Sequence, residues 1–227
     1  MRKVTSKHFY IINNLLASRY RSLLISLIAM VIVPSFFEGN KYHGLVSFLL
    51  NSLTLFLSIN AIQESRKQLY LGATSAFIVV MINRFGVFRE EAALDFYLSF
   101  FIYLVFYAYV AFRLLKMIVA TVNVKVGVLY ASVIVYILIG IVGGYILMLI
   151  ENIAPGSINN LELENITTPS KFFYFSFITL STLGYGDITP ISPPARSVCI
   201  ILSTTGPLYL TVLVALLVSR FEHSDIH

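Results

Sequence analysis

Residues around position 184 combine the side chains and the backbone freedom that cation coordination would need. The run reads Thr182-Leu183-Gly184-Tyr185-Gly186-Asp187, in which two glycines alternate with larger residues and a carboxylate follows. Glycine reaches positive-φ conformations without steric cost, so the backbone here can leave both helix and strand geometry. A cation that loses its water shell needs replacement oxygens, and backbone carbonyls supply them without the trapping effect of a full charge. We therefore expect the chemistry of this segment to reside in its main-chain carbonyls.

A short apolar stretch, Phe172–Leu180, leads into this run. Its nine residues would form a helix about 13 Å long, which is too short to cross a membrane. Pro169 stands where such a helix can begin, with Thr168 or Ser170 able to cap it. We expect a re-entrant helix, which is tolerated only where protein buries it or where it lines a water-filled cavity. The negative end of its dipole, at Thr179–Ser181, would favour a cation.

The whole chain has the composition of an integral membrane protein. Of its 227 residues 58% are hydrophobic and 12% are charged, and the mean hydropathy is +0.84, which is far from the balance of a soluble domain. Six apolar stretches can be marked, and they are expected to be helices because no β-barrel alternation is visible. They are Ser22–Phe37, Leu45–Ile62, Leu69–Ile82, Phe96–Phe112, Val126–Ile150 and Val198–Val218. The third is short and must borrow flanking residues to span.

The basic residues predict the orientation. With six crossings and the N-terminus inside, 11 Lys and Arg residues are cytoplasmic and 5 are outside, as the positive-inside rule favours. We expect a multi-pass protein of the cell membrane with both termini in the cytoplasm and Glu151–Pro169 outside. The net charge of +5 is spread over short clusters, so membrane lipid is the expected partner and nucleic acid is not.

The run Thr179-Leu180-Ser181-Thr182-Leu183-Gly184-Tyr185-Gly186-Asp187, between a re-entrant helix and a final span, resembles the signature of the potassium channel family. The resemblance implies an all-α membrane fold with six transmembrane helices, a pore helix and a selectivity-filter loop, assembled as a four-fold homotetramer. It implies ion binding by five residues, with K⁺ at the carbonyls of the first four and the Thr182 hydroxyl at the innermost site: Thr182, Leu183, Gly184, Tyr185 and Gly186. A prokaryotic source is also expected.

The same resemblance implies that Asp187, Tyr174 and Ser181 support the filter. Tyr174 stands where the family often has a tryptophan, and this chain contains none. A phenol can still donate a hydrogen bond to Asp187. A second departure is Ile178, where some relatives carry a carboxylate behind the filter. We expect the substitution of the common valine by Leu183 to be harmless, because the carbonyl coordinates the ion.

The last span contains a candidate hinge and gate. Pro207 removes a backbone hydrogen bond and clashes one turn back, so a kink is expected there. It follows Gly206, at a position where family members often have a hinge glycine, and a static packing bend is the alternative. Four residues are candidates for a hydrophobic constriction that closes by dewetting: Leu210, Val214, Leu217 and Val218. In the fifth span, Gly140 and Gly144 predict close helix packing against the sixth.

The resemblance divides the chain into four parts: a cytoplasmic N-terminus (1–21), a peripheral domain that resembles a voltage sensor (22–119), a pore domain (120–219) and a short cytoplasmic tail (220–227). The fourth span offers only Arg113 and Lys116, both near its end, so we expect weak or no voltage gating. We expect no gating domain after Val218, and an unidentified regulatory subunit is one expected source of control.

Three alternatives stay open at this stage: a weakly selective cation channel, a regulatory subunit and a potassium-uptake transporter subunit. The Gly-Tyr-Gly run argues against the first two, and transporter filters recur four times in a chain whereas this sequence has one copy. An enzyme is not expected, because no span carries a paired acid and base, a histidine cluster or a phosphate loop. No cofactor is expected beside the permeant K⁺.

Overall fold

The computed structural model describes residues 2–63, 92–121, 126–160 and 169–224. In chain order the helices are α1 (Arg2–Ile32), which a 3₁₀ turn (Val33–Phe37) follows, α2 (His43–Ile62), α3 (Ala92–Ala120), α4 (Val126–Ile153), α5 (Pro169–Leu180) and α6 (Pro193–Ser224). A two-stranded antiparallel pair joins β1 (Ile158–Asn159) to β2 (Thr189–Pro190), with Ile158 opposite Pro190 and Asn159 opposite Thr189.

Five helical segments of the described residues are long and apolar enough to cross a membrane. They correspond to the first, second, fourth, fifth and sixth apolar stretches of the sequence. The helices extend beyond those stretches, since α4 continues to Ile153 and α6 begins at Pro193. The third stretch, Leu69–Ile82, lies outside the described residues. The chain is thus a predominantly helical, multi-pass membrane protein.

Helix α4 lies at the centre of the fold. It packs against α1, α3, α5 and α6. Its buried residues recur at the spacing of three or four that keeps one helical face inward, as in Ala131, Ile134, Leu138 and Ile141. Within the single chain 56% of the apolar membrane-spanning window of α4 is buried, whereas only 11% of the corresponding window of α6 is buried. The surface of α6 is therefore left open to further packing.

An aromatic cluster connects the peripheral helices to α5. The ring of Tyr145 in α4 stacks on Tyr103 and Tyr107 of α3, with ring centroids 6.2 and 6.1 Å apart. On its other side Tyr145 meets Phe173 of α5 edge to face at 5.2 Å. Such aromatic pairs add about 0.5–1.5 kcal/mol beyond their buried area. The cluster thus fixes the position of α5 relative to α3 and α4.

Helix α2 is attached to α1 through a polar contact. The Thr54 hydroxyl lies 3.3 Å from the Ser26 carbonyl and 2.8 Å from the Leu50 carbonyl of its own helix. By contrast, the Asn51 amide donates to the Ser47 carbonyl within α2 at 2.9 Å. Side-chain donation to the previous turn satisfies the donor locally, so Asn51 needs no partner helix for it.

Candidate ion-binding site

Helix α5 packs against a surface of α4 that contains Gly140 and Gly144. The Ser176 hydroxyl donates to the Gly140 carbonyl at 2.7 Å, and a Cβ at Gly144 would lie 3.2 Å from the Cα of Phe173. A Cβ at Gly140 would enter the ring of Phe177. The prediction that Gly140 and Gly144 pack against the last span is therefore wrong, because both receive α5. Small residues at this surface let the two backbones approach closely.

The N-terminal end of α5 is tied to the segment that follows α1. The helix begins at Pro169, as predicted, but Ser170 lies inside its first turn and its hydroxyl donates to the carboxylate of Glu38. Ser170 is thus a bridge to the peripheral helices, whereas the sequence suggested a capping role for it or for Thr168. Thr168 lies outside the described residues.

The chain turns sharply after Leu180, and the amides of the turn point back to α5. Four successive amides donate at 2.9–3.1 Å: Ser181 to Phe177, Thr182 to Thr179, and both Leu183 and Gly184 to Ile178. These bonds satisfy carbonyls that a helix end leaves without intrahelical partners. They also fix the orientation of the peptide planes that follow. Ser181 supports the loop through its amide, and its hydroxyl lies 3.4 Å from the Ile178 carbonyl.

Every second residue of the loop has a left-handed backbone conformation. The φ angles are +58° at Thr182, +52° at Gly184 and +80° at Gly186. Nothing within 4 Å would obstruct a Cβ at Gly184 or Gly186, so these positions need glycine for their backbone angles and not for space. Thr182 adopts the same region at a cost of about 1 kcal/mol, because an L side chain is crowded there. The amide of Thr182 is held by Thr179, which stabilises this angle.

The carbonyls of this loop are free to bind a ligand. Within the described part of the chain, no donor reaches the carbonyl oxygens of residues 182–186. The side chains of Leu183 and Tyr185 are 55% and 67% exposed, so this chain alone does not bury the loop. Unpaired carbonyls that are removed from water must find other partners. A cation on the open side of the loop would supply them.

The loop ends at a hydrogen-bonded pair that the sequence predicted. The Tyr174 hydroxyl in α5 donates to the Asp187 carboxylate at 2.6 Å. This bond lowers the pKa of Asp187 below its ordinary value, because it stabilises the ionised form. The backbone of Asp187 is held as well, since the Asn160 side-chain amide donates to its carbonyl at 2.8 Å. Asp187 is therefore fixed from both its side chain and its main chain.

A buried carboxylate organises the turn beneath this pair. Glu151, near the end of α4, is 4% exposed and accepts hydrogen bonds from the amides of Gly156 at 2.7 Å and Ile158 at 2.9 Å. The Ser157 carbonyl then accepts from the amides of Ile191 and Ser192 at 2.8 and 3.1 Å. Buried charge is tolerated when hydrogen bonds replace its water. Glu151 thus connects α4 to β1, and the Ser157 carbonyl connects the same turn to the residues that follow β2.

Gly206 of α6 lies against the last carbonyl of α5. A Cβ at this position would lie 2.9 Å from the carbonyl carbon of Leu180 and closer still to its oxygen. The glycine is therefore required by close approach of α6 to the base of the loop. Pro207 lies inside α6, where it can donate no backbone hydrogen bond. The two residues predicted as a hinge thus lie directly below the loop.

The four predicted gate residues do not share one environment. Leu210, Val214 and Val218 are exposed in the single chain, whereas Leu217 is half-buried and packs against the core of the chain. Leu217 lies on the same side of α6 as Leu213 and Tyr209, because the three residues are spaced four apart. All three pack against the core. Only the three exposed residues, Leu210, Val214 and Val218, are therefore available to line a passage in this conformation.

Several contributors to the site were missed from the sequence. Glu151 was assigned no role from the sequence, although a carboxylate at the end of an apolar helix is a signal for a buried cap. Asn160 adopts φ +60°, which asparagine favours, but its partner 27 residues away could not be inferred. Gly143 was overlooked, and a Cβ there would meet Ser176 and Leu202.

Comparison with known proteins places this site in a familiar context. A family model described as "Ion channel" matches residues 125–223, which include α4, α5, the loop and α6. "Potassium channel K2" of Plasmodium falciparum (isolate 3D7) is 48% identical over 46 residues, which cover 18% of this chain and 3% of that protein. "Two-pore potassium channel 4" of Arabidopsis thaliana is 45% identical over 48 residues, which cover 21% of this chain and 17% of that protein.

"Potassium channel K2" of Plasmodium berghei (strain Anka) is 44% identical over 52 residues, which cover 22% of this chain and 4% of that protein. The chain thus matches less than a fifth of the length of each of these relatives. No solved structure gives a significant match. The prokaryotic source stays a prediction. Residues 125–223 are thus similar to an ion-channel family, and these relatives, which match short stretches of this chain, are potassium channels by name.

Proposed function

We propose that the chain is one subunit of a homotetrameric, potassium-selective channel that conducts K⁺ passively across the cell membrane. The observation that carries the proposal is the loop from Thr182 to Gly186, where the amides of the turn donate to α5 and the carbonyls have no donor among the described residues. Rings of such carbonyls can replace the water shell of a permeating cation. The proposed K⁺ ligands are the carbonyls of residues 182–185, with the Thr182 hydroxyl innermost.

Assembly around a four-fold axis follows from the incompleteness of the single chain. One loop supplies one oxygen to each ring, and a dehydrated cation needs several. The small buried share of α6 supports the same conclusion, because its apolar residues Ile200, Ile201 and Val212 are more than half exposed. Copies of this chain around one axis would cover part of that surface and bring equivalent loops together.

Helix α5 contributes an electrostatic term to the proposed site. Its C-terminal end precedes Thr182 directly, and the partial negative charge of a helix C-terminus favours a cation. A ring of Asp187 carboxylates at the outer mouth would raise the local cation concentration. The lowered pKa of Asp187 keeps this ring ionised at neutral pH. The support is therefore ordered from the mouth inwards: carboxylates first, then carbonyls, then the helix dipole.

We further propose that the N- and C-termini are cytoplasmic, that residue 120 separates a peripheral domain from the pore domain, and that opening depends little on voltage. Arg113 and Lys116 are the two basic residues near the end of α3, and a transmembrane charge contributes about 2.3 kcal/mol per 100 mV. One or two such charges per subunit would give a shallow voltage dependence.

The test uses purified protein in liposomes that contain KCl and are diluted into a medium low in potassium. Uptake of tracer rubidium then reports a cation-selective path, and external sodium or barium tests selectivity and block. We expect uptake that barium stops and sodium leaves unchanged. Equal sodium and rubidium permeation would support a weakly selective channel instead, and absence of uptake by an intact tetramer would favour a regulatory subunit.

A further inference from the structure

A tyrosine in α6 makes a direct hydrogen bond to the backbone of α4. The Tyr209 hydroxyl donates to the Ser132 carbonyl at 2.7 Å. Its ring lies 6.1 Å from the ring of Tyr136 in α4, tilted by 32°. By contrast, the hydroxyls of Ser203 and Thr211 donate back to carbonyls of α6 itself. Tyr209 therefore joins two helices where neighbouring polar side chains join none.

The position of Tyr209 relative to the proline gives this bond a mechanical consequence. Pro207 has no amide hydrogen, so α6 lacks one hydrogen bond just before Tyr209 and can bend there. Above the proline, the close approach of Gly206 to the Leu180 carbonyl fixes α6 against α5. Below it, Tyr209 bonds to the backbone of α4, and Leu213 and Leu217 pack against the buried core of the chain.

We propose that Tyr209 is a latch that holds the lower half of α6 against α4 and so stabilises the conducting conformation. The proposal rests on the proposed function, because it assumes that α6 lines the pore. Opposite the α4 side, α6 would face the central axis of the tetramer. Closure by inward bending at Pro207 requires the lower half to leave α4, which breaks the bond from Tyr209 to Ser132. The exposed residues Leu210, Val214 and Val218 would then approach the axis.

The bond is strong enough to bias such an equilibrium. A net contribution of about 1 kcal/mol for a hydrogen bond corresponds to a factor of about five in an equilibrium constant. If four subunits moved together, the factor would be about 600, because the four contributions multiply. The hydroxyl is a positioning group and touches no ion, so its loss should leave the filter unaltered.

Tyr209→Phe removes the hydroxyl and keeps the ring, and Tyr136→Phe is the matched control. Tyr136 belongs to the same ring pair, and no described residue accepts a hydrogen bond from it. In single-channel recordings in symmetric KCl, we expect Tyr209→Phe to lower the ratio of open to closed time at least fivefold and so to lower the open probability, with unchanged conductance and unchanged K⁺ over Na⁺ selectivity. Tyr136→Phe should match the unsubstituted channel. An unchanged or raised open probability in Tyr209→Phe overturns the latch.

A second measurement does not depend on ion conduction. In a Cys199→Ala background, a cysteine introduced at Leu217 reports whether the lower half of α6 leaves the core. We expect a soluble maleimide to modify Leu217→Cys at least fivefold faster when Tyr209→Phe is present, and at the original rate when Tyr136→Phe is present. Equal rates in both combinations contradict the latch even if no current is seen. Absence of potassium current with the expected difference in rates would instead count against the proposed function alone.

Discussion

Replacement of Gly206 by alanine should displace the base of the loop formed by residues 182–186. The added Cβ would lie 2.9 Å from the carbonyl carbon of Leu180 and closer to the oxygen, both of which are backbone atoms that cannot rotate away. Overpacking of this kind costs about 1–3 kcal/mol, and the rigid neighbour places this case near the upper value. At 1.4 kcal/mol per factor of ten, about 3 kcal/mol lowers the equilibrium constant for the native packing of α6 against Leu180 by about 100-fold in each subunit.

Gly127→Ala is the matched control for this substitution. Gly127 is also a helical glycine, but a Cβ there would meet only the Tyr20 ring at 3.5 Å, which is ordinary contact. Both variants make the same chemical change, and each replaces a glycine by a better helix former. Any difference between them therefore reports the contact with Leu180 and not helix propensity.

The assay measures rubidium uptake, barium block and the thermal midpoint of the tetramer for both variants. We expect Gly206→Ala to lose most of its uptake, to bind barium more weakly and to dissociate at a lower temperature, whereas Gly127→Ala behaves as the unsubstituted protein. A hinge without close packing would alter opening alone and leave barium block and the thermal midpoint unchanged. That second pattern would refute the packing role of Gly206.

Three further predictions concern the proposed filter and its supports. Gly184→Ala should abolish conduction and leave the tetramer intact, because φ +52° is strained for alanine while no atom obstructs its Cβ; normal uptake would contradict the assigned sites. Tyr174→Phe removes the hydrogen bond to Asp187 and should make current decay several-fold faster in sustained recordings, with Tyr130→Phe as control. The hydrogen bond from Tyr174 lowers the pKa of Asp187 below 3.8. The bonded pair therefore contributes stability at and above pH 3.8 and loses it as the pH falls through the lowered pKa. Acidification from pH 7.5 to 5 should accordingly leave the current unchanged.

The sequence predicted the loop well because its signal is local. Two glycines at alternate positions require positive φ, and both have it, at Gly184 and Gly186. The bond from Tyr174 to Asp187 could also be predicted, since the resemblance supplied the pair of positions and the chemistry of a phenol supplied the donor. The short helix was expected to start at Pro169 and end at Leu180, as observed.

Contacts between distant elements were harder to predict. A glycine pair reveals that one face of a helix is closely packed, but its spacing does not identify the partner, so Gly140 and Gly144 were assigned to the wrong helix. The sequence suggested that position 206 is glycine because the helix bends there. In the structure, glycine is required because α6 approaches the Leu180 carbonyl closely. The bond from Tyr209 to Ser132 spans 77 residues and leaves no periodic trace in the sequence.

The proposed selective conduction would depend on direct contact between the cation and the loop carbonyls, and a high-resolution cryo-EM map of the purified protein in its proposed tetrameric form tests this contact most directly. In potassium chloride, we predict a row of densities on the four-fold axis, each between rings of carbonyls from residues 182–185, and loss of part of that row when sodium replaces potassium. Loops that lie apart from a common axis, or loops on the axis with no ion density between them in potassium, would contradict the assignment.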